Sequence, residues 1–220
     1  MKNIKAIIFD AYGTLFDVNS AAEKCKDKIG DRWEGFANYW RTTQLEYTWL
    51  RSLMKRHKDF WQVTEDSLDK SMKTYEIDSS MRNELLNLYK ILSTFKEVPE
   101  VLKALKEKDF KLAILSNGTP SLLDELVKSN NLENIFDDIF SIEEVGVYKP
   151  DSKVYDIPIK KYNIKKNEVA YLSANTWDVS AGGNYGFNPV WVNRNNSIFD
   201  NLDYKPQNEI QNLNELTKLI

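Results

Sequence analysis

The chain has 220 residues, 42% of them hydrophobic and 29% charged, and its 30 basic and 33 acidic side chains leave a formal net charge of only -3. A near-neutral chain of this length can bury a core of its own, and it has no basic excess of the kind that indicates a nucleic-acid groove or a membrane surface. A single cysteine and a single histidine exclude a disulfide framework and a zinc site built from those residues, and a reducing cytoplasm is the simplest location. The apolar runs are a few residues long, so the sequence predicts neither a signal peptide nor a membrane span.

The first predicted element is a buried strand over residues 5–10, which ends in a carboxylate. Asp10 is followed by Ala11-Tyr12-Gly13-Thr14, where a glycine turn begins. An aspartate at a strand end is poorly placed for packing and well placed for nucleophilic attack. Tyr12, two positions later, cannot donate a proton as a second aspartate could.

From about residue 17 to residue 95 no convincing strand is predicted, and the stretch reads as several helices rich in aromatic and charged residues. Trp33, Phe36, Ala37 and Trp40 fall three and four apart, which predicts an amphipathic helix whose tryptophans pack in a core. Arg41 shares a helix face with Leu45, and from position alone a surface arginine lying over its own stem is the more ordinary interpretation. We therefore predict a core domain of residues 1–16 and 96–220 with a helical cap at residues 17–95.

Three further apolar runs predict strands, at residues 111–116, 168–173 and 189–192. Helical patterns lie before and after the run at residues 111–116, at residues 99–108 and 119–129. With the first strand at residues 5–10, this alternation of strands with helices predicts a doubly wound α/β fold with a mostly parallel sheet. A third helical pattern, residues 152–162, contains Pro158. An interior proline costs a helix about 3 kcal/mol, so a kink or an early helix end is expected there.

Polar side chains follow these strands. Ser116 and Asn117 end the second strand, Lys149 precedes Pro150, and the segment from Ser173 to Asp178 follows a later strand. In an open α/β sheet the carboxyl ends of the strands form the binding crevice. Each segment alone has an ordinary explanation as a helix cap, a turn or a solvated lysine.

In this order, the four segments resemble the haloacid dehalogenase superfamily over nearly the whole chain, including the place of the helical insertion. Most members of that superfamily are phosphatases or phosphotransferases with two aspartates in the first motif and acidic magnesium ligands in the last. Here Tyr12 replaces the second aspartate, and Ser173 stands where a metal-binding aspartate is expected. Magnesium prefers several oxygen ligands, so the site is a poor one for that metal.

Three runs resemble the L-2-haloacid dehalogenases specifically: residues 10–17, residues 41–49 and residues 173–178. A halide leaves as a stable anion that needs no proton and no metal. The resemblance implies hydrolysis of short-chain L-2-haloalkanoic acids to D-2-hydroxyalkanoic acids with inversion, through an Asp10 ester. It also implies a homodimer, with no cofactor, no metal and no nucleic-acid or membrane partner.

The resemblance also implies the roles of individual residues. Asp10 is the nucleophile, Asp178 the general base, and Lys149 pairs with either carboxylate and keeps both ionised. The remaining roles are halide binding by Arg41 and Asn117, substrate-carboxylate binding by Ser116, water exclusion by Phe60 and Trp177, lining of the alkyl pocket by Tyr12 and Leu45, and orientation of the nucleophile, the lysine and the water by Thr14, Tyr155, Ser173 and Asn175.

Two alternatives remain open at this point. The first is a metal-dependent phosphatase of the same superfamily, which would release phosphate from p-nitrophenyl phosphate with magnesium and no halide from L-2-chloropropionate. The second is a non-catalytic binding protein on this fold, against which the presence of Asp10, Arg41, Lys149 and Asp178 argues.

Overall fold

The computed structural model describes residue 1, residues 3–108 and residues 110–220. In these residues six strands form one sheet in the order β3-β2-β1-β4-β5-β6, and every neighbouring pair is parallel. The strands are β1 (Ala6–Phe9), β2 (Lys111–Ser116), β3 (Asp138–Ser141), β4 (Val169–Ser173), β5 (Asn188–Val192) and β6 (Asn208–Ile210). The predicted doubly wound α/β fold is confirmed.

The register of the sheet brings the ends of three strands together. Phe9 on β1 pairs with Ile114 on β2 and with Leu172 on β4, and Asp10 N donates a hydrogen bond to Leu172 O at 2.8 Å. Since β1 lies between β2 and β4, the strand order reverses beside it, and this reversal is where an α/β sheet opens its crevice. Asp10 therefore stands at the expected edge.

By internal contacts the chain divides into two compact units. Unit 1 comprises Met1–Phe16, Thr94–Asn117 and Leu132–Ile220, and unit 2 comprises Asp17–Ser93 and Gly118–Asn131. The division into a core of residues 1–16 and 96–220 and a cap of residues 17–95 stays a prediction.

Unit 1 contains the sheet and three α-helices among its described residues, α6 (Val98–Lys106), α8 (Ser152–Tyr162) and α9 (Thr176–Tyr185). Of the two outcomes expected at Pro158, the early helix end is wrong, because α8 continues through this buried residue to Tyr162, and the kink stays a prediction. Helix α8 ends instead at Asn163, which takes a left-handed conformation with φ of 51°. Burial of Val154, Tyr155 and Ile157 beside Pro158 offsets the hydrogen bond that proline removes.

Unit 2 is helical in its described residues. Its α-helices are α1 (Ser20–Lys24), α2 (Lys26–Ile29), α3 (Trp33–Leu53), α4 (Phe60–Thr74), α5 (Arg82–Lys90) and α7 (Pro120–Ser129). The residues with the amphipathic pattern form the single long helix α3, which packs against α4 and buries Phe36 and Trp40. Trp40 Nε1 donates to Thr64 O at 3.2 Å. Within the described chain, no helix combines the length and apolar character that a membrane crossing requires.

Candidate active site

Lys149 is the centre of a buried polar network in unit 1. Its Nζ donates to Asp10 Oδ1 at 3.0 Å, to Asp178 Oδ2 at 3.0 Å and to the hydroxyl of Tyr171 at 2.6 Å. Its side chain is 1% exposed. An ammonium has three donors, so these three contacts use all of them.

The second oxygen of Asp10 is held by neutral donors. Oδ2 accepts from Thr14 Oγ1 at 3.0 Å and from Asn175 Nδ2 at 2.9 Å, with Ser173 Oγ farther away at 3.5 Å. Thr14 Oγ1 in turn accepts from Ala174 N at 2.8 Å, which ties the loop after β1 to the loop after β4. The two oxygens of the carboxylate are thus distinguished, one facing the ammonium and one facing amide and hydroxyl groups.

Asp178 lies in the first turn of α9 and is fully buried. Its Oδ1 accepts from Tyr155 OH at 2.7 Å, while its Oδ2 accepts from Tyr171 OH at 2.7 Å as well as from Lys149. Hydrogen bonds to an ionised acceptor are the stronger kind. Three donors thus hold the two oxygens of this buried side chain in place.

Burial and charge act on the basic and phenolic groups of the network. Burial alone would lower the pKa of Lys149, but the charges of Asp10 and Asp178 outweigh it and raise that pKa above its usual value. Burial, and next the charge of Asp178, raises the pKa of Tyr155 and of Tyr171 well above the usual value. The lysine therefore stays charged and both phenols stay protonated at neutral pH.

Sequence reasoning missed Tyr171. Residues two apart on a strand face the same side of a sheet, so a tyrosine two positions before Ser173 places its ring on the face of that predicted site residue. That spacing was a usable signal, although it could not show that the hydroxyl reaches Lys149 and Asp178.

The other predicted site residues of unit 1 lie at the same ends of the strands. Ser116 ends β2 and is fully buried, and Asn117 Oδ1 accepts from Lys149 N at 3.1 Å. Tyr12 is 2% exposed in the loop after β1, and Trp177 is half-buried in the first turn of α9.

Three predicted site residues belong to unit 2. Arg41 and Leu45 are half-buried on α3, and Phe60 is buried at the start of α4. Arg41 Nη1 donates to Gln44 Oε1 at 2.9 Å, and Gln44 Nε2 donates to Thr64 Oγ1 at 2.7 Å. The guanidinium is thereby held by its own helix and, through Gln44, by α4.

Comparison with known proteins gives consistent results. Residues 4–186 match the family model described as haloacid dehalogenase-like hydrolase. An (S)-2-haloacid dehalogenase of Pseudomonas fluorescens is 38% identical over 219 residues, which cover 99% of this chain and 96% of that protein.

Solved structures agree with the sequence match. A dehalogenase crystal structure superposes with a TM-score of 0.97 at 34% identity and covers 100% of this chain and 98% of its own. The L-2-haloacid dehalogenase of Xanthobacter autotrophicus, solved with chloropropionic acid covalently bound, gives 0.90 at 31% identity and 98% coverage of both chains. The chain therefore belongs to the haloacid dehalogenase-like hydrolases and, among them, to the (S)-2-haloacid dehalogenases.

Proposed function

We infer that the protein hydrolyses short-chain L-2-haloalkanoic acids to D-2-hydroxyalkanoic acids, with inversion at C2 and release of halide. The observation that carries this inference is the buried assembly of Asp10 and Asp178 around Lys149 Nζ, with one oxygen of each carboxylate 3.0 Å from the ammonium. It offers a nucleophile, a second carboxylate and a fixed positive charge. The relatives named (S)-2-haloacid dehalogenase and the solved relative with covalently bound chloropropionic acid support the same reaction.

In the first step, a carboxylate oxygen of Asp10 attacks C2 from the side opposite the halogen. An oxygen–carbon bond forms, the carbon–halogen bond breaks, and the halide leaves with the bonding electrons. Thr14 and Asn175 hold one oxygen while Lys149 holds the other, which limits rotation of the carboxylate. Such orientation is what an in-line displacement needs.

Charged groups of the substrate need their own partners. We assign the halide to Arg41 and to the amide of Asn117, and the substrate carboxylate to Ser116 and neighbouring backbone N–H groups. The side-chain amide oxygen of Asn117, Oδ1, accepts from Lys149 N, so the NH2 group of that amide points away from Lys149 N. Tyr12 and Leu45 would line the alkyl pocket, and Phe60 and Trp177 would exclude water; these roles rest on the family resemblance.

In the second step, Asp178 takes a proton from a water molecule, which attacks the ester carbonyl carbon of Asp10. The bond between the carbonyl carbon and the C2 oxygen breaks, and the proton held by Asp178 passes to that oxygen, so that the hydroxy acid leaves. The second proton of the water is released to solvent, and the Asp10 carboxylate is restored with one oxygen from water. Tyr155, Tyr171 and Lys149 orient Asp178, while Ser173 and Asn175 lie on the Asp10 side. A general base of this kind contributes about 10²–10⁴ in rate.

We propose that the reaction needs no metal. The ammonium of Lys149 already lies within hydrogen-bond distance of both carboxylates, and the halide departs without a proton. A homodimer and a cytoplasmic location remain predictions. Leu53 and Met54 at the end of α3, 80% and 60% exposed, are apolar surface that a second subunit could cover.

The test compares two substrates. With a metal chelator present, the protein should release chloride from L-2-chloropropionate and leave the D enantiomer intact, and it should not hydrolyse p-nitrophenyl phosphate with magnesium. In water labelled with heavy oxygen, repeated turnover should label the Asp10 peptide. The Asp178→Asn variant should release about one halide per active site and then stop with Asp10 esterified.

Two results would contradict the proposal. Phosphate release without halide release would indicate a phosphatase, and no turnover of either substrate would indicate a binding protein. Neither alternative is favoured by the relatives, which are named as dehalogenases. An unlabelled Asp10 despite product formation would mean that water attacks C2 directly.

A further inference from the structure

The hydroxyl of Tyr171 lies between the positive charge and one negative charge of the site. It is 2.6 Å from Lys149 Nζ and 2.7 Å from Asp178 Oδ2, and the residue is fully buried. Because an ammonium can only donate, the phenolic oxygen accepts from Lys149 and its own proton goes to Asp178. One neutral group thus makes two charge-assisted hydrogen bonds.

We propose that Tyr171 is a positioning residue of this active site, which holds the Lys149 ammonium between the two carboxylates and orients Asp178 for ester hydrolysis. The proposal rests on the roles assigned above to Asp10 and Asp178. Tyr171 completes the set of three acceptors around Lys149 Nζ, beside Asp10 Oδ1 and Asp178 Oδ2. Without the hydroxyl, one buried N–H of the ammonium loses its acceptor, and Asp178 loses one of its three donors.

The ring of Tyr171 is seated so that its hydroxyl reaches this point. A Cβ atom at Gly182 would lie 2.7 Å from Tyr171 Cδ1, so the ring packs directly on the backbone of α9. Gly182 lies four residues after Asp178, on the same face of that helix. The rings of Tyr155 at 5.8 Å and Phe187 at 5.6 Å pack against it as well.

These contacts link the ring to the base through one helix. Since Asp178 and Gly182 are one turn apart on α9, the distance from the ring to the carboxylate is set by a rigid element. A side chain on Gly182 would shift the Tyr171 ring while removing no polar group. Gly182→Ala is therefore a second way to disturb the hydroxyl.

The experiment follows both chemical steps in single-turnover rapid-quench reactions of the whole protein with L-2-chloropropionate. Chloride release reports ester formation, and mass analysis of the Asp10 peptide reports ester decay. In Tyr171→Phe the decay should slow about ten- to a hundredfold, as expected for the loss of one hydrogen bond to a charged group, while ester formation slows less. The ester should therefore accumulate.

The matched control is Tyr185→Phe, which removes another tyrosine–carboxylate hydrogen bond from α9. Tyr185 OH donates to Asp156, which lies outside the network of Lys149. This variant should leave the ratio of the two rates, that of ester decay divided by that of ester formation, within about twofold of the wild-type value. Gly182→Ala should lower the ratio in the same direction as Tyr171→Phe, and it serves as the test if the phenylalanine variant fails to fold.

The ratio separates positioning from a structural role, since loss of folded protein lowers both amplitudes and leaves the ratio unchanged. An unchanged ratio in Tyr171→Phe, or an equal change in Tyr185→Phe, would overturn the role of Tyr171. If the wild-type protein forms the Asp10 ester in the same experiment, the proposed function survives that result. A wild-type protein that forms no ester would overturn both proposals.

Discussion

Replacing Lys149 with methionine should destabilise the protein by about 3–5 kcal/mol, the usual effect of removing one partner from a buried ion pair. The side chains of Asp10 and Asp178 are 8% and 0% exposed, so water cannot replace the ammonium. One oxygen of each carboxylate lies 3.0 Å from Lys149 Nζ. At an effective dielectric constant of about 20, this distance corresponds to about 5.5 kcal/mol of gross attraction per ion pair. Much of this is offset by the desolvation of the charges.

The geometry also sets the repulsion that remains in the variant. Two oxygens that each lie 3.0 Å from one atom are at most about 6 Å apart, so two ionised carboxylates repel by at least about 3 kcal/mol at the same dielectric constant. The double variant Lys149→Met with Asp178→Asn removes this repulsion. It should therefore recover about 2–3 kcal/mol relative to the single variant, although it lacks one more charged group.

Urea unfolding followed by tryptophan fluorescence at pH 7 measures these differences. The control is Lys153→Met on the exposed side of α8, which should change the free energy of unfolding by no more than about 0.5 kcal/mol. A loss below about 1 kcal/mol in Lys149→Met would refute the counterion role. A double variant that is less stable than the single one would show that lost packing, and not charge, dominates.

Two further predictions concern the hydroxyl beside the nucleophile and the buried phenols. Thr14→Val removes the donor to Asp10 Oδ2 and the acceptor of Ala174 N, so it should lower the free energy of unfolding by about 1–3 kcal/mol and slow chloride release in a single turnover. Thr14→Ser keeps the hydroxyl and should retain most of the free energy of unfolding and most of the rate of chloride release. A valine variant with wild-type stability and rate would contradict the role of the Thr14 hydroxyl. Burial raises the pKa of Tyr89, Tyr155 and Tyr171, and the charges of Asp10 and Asp178 raise that of Lys149 against the effect of its burial. These four side chains stabilise the folded protein fully at pH values below their pKa values in the unfolded chain, which are about 10. This stabilisation is lost as pH rises further, because the unfolded chain then releases protons that the folded chain keeps. Urea midpoints should fall between pH 9 and 11, and a constant midpoint would be inconsistent with these shifts.

The predictability of the strands from sequence depended on burial. The runs that became β1, β2 and β4 are short segments rich in Ile, Leu, Val and Ala, and every residue in them except Lys111 is buried, a pattern that few other structures require. The short edge strands β3 (Asp138–Ser141) and β6 (Asn208–Ile210) were not predicted. Each contains polar residues and pairs on one side only, so its strand conformation depends on a neighbour distant in sequence.

The same limit applies to the site. Asp10, Ser173 and Asp178 could be located because they follow strands, and strand ends converge at one edge of a parallel sheet. Tyr171 lies inside β4 and its sequence position is that of a core residue. Its role depends on the approach of Lys149 from a distant segment and on the room that Gly182 leaves, neither of which a local pattern contains.

A count of charges connects the missing second aspartate to the choice of substrate. Counted at their formal charges, Asp10, Asp178 and Lys149 give the buried assembly a net charge of -1. A haloacid brings one further negative charge, which Ser116 and backbone N–H groups bind in the proposed mechanism. A phosphate monoester would bring nearly two. Since Lys149 occupies the space between the carboxylates, the site is better matched to a monoanion whose leaving group departs as a halide.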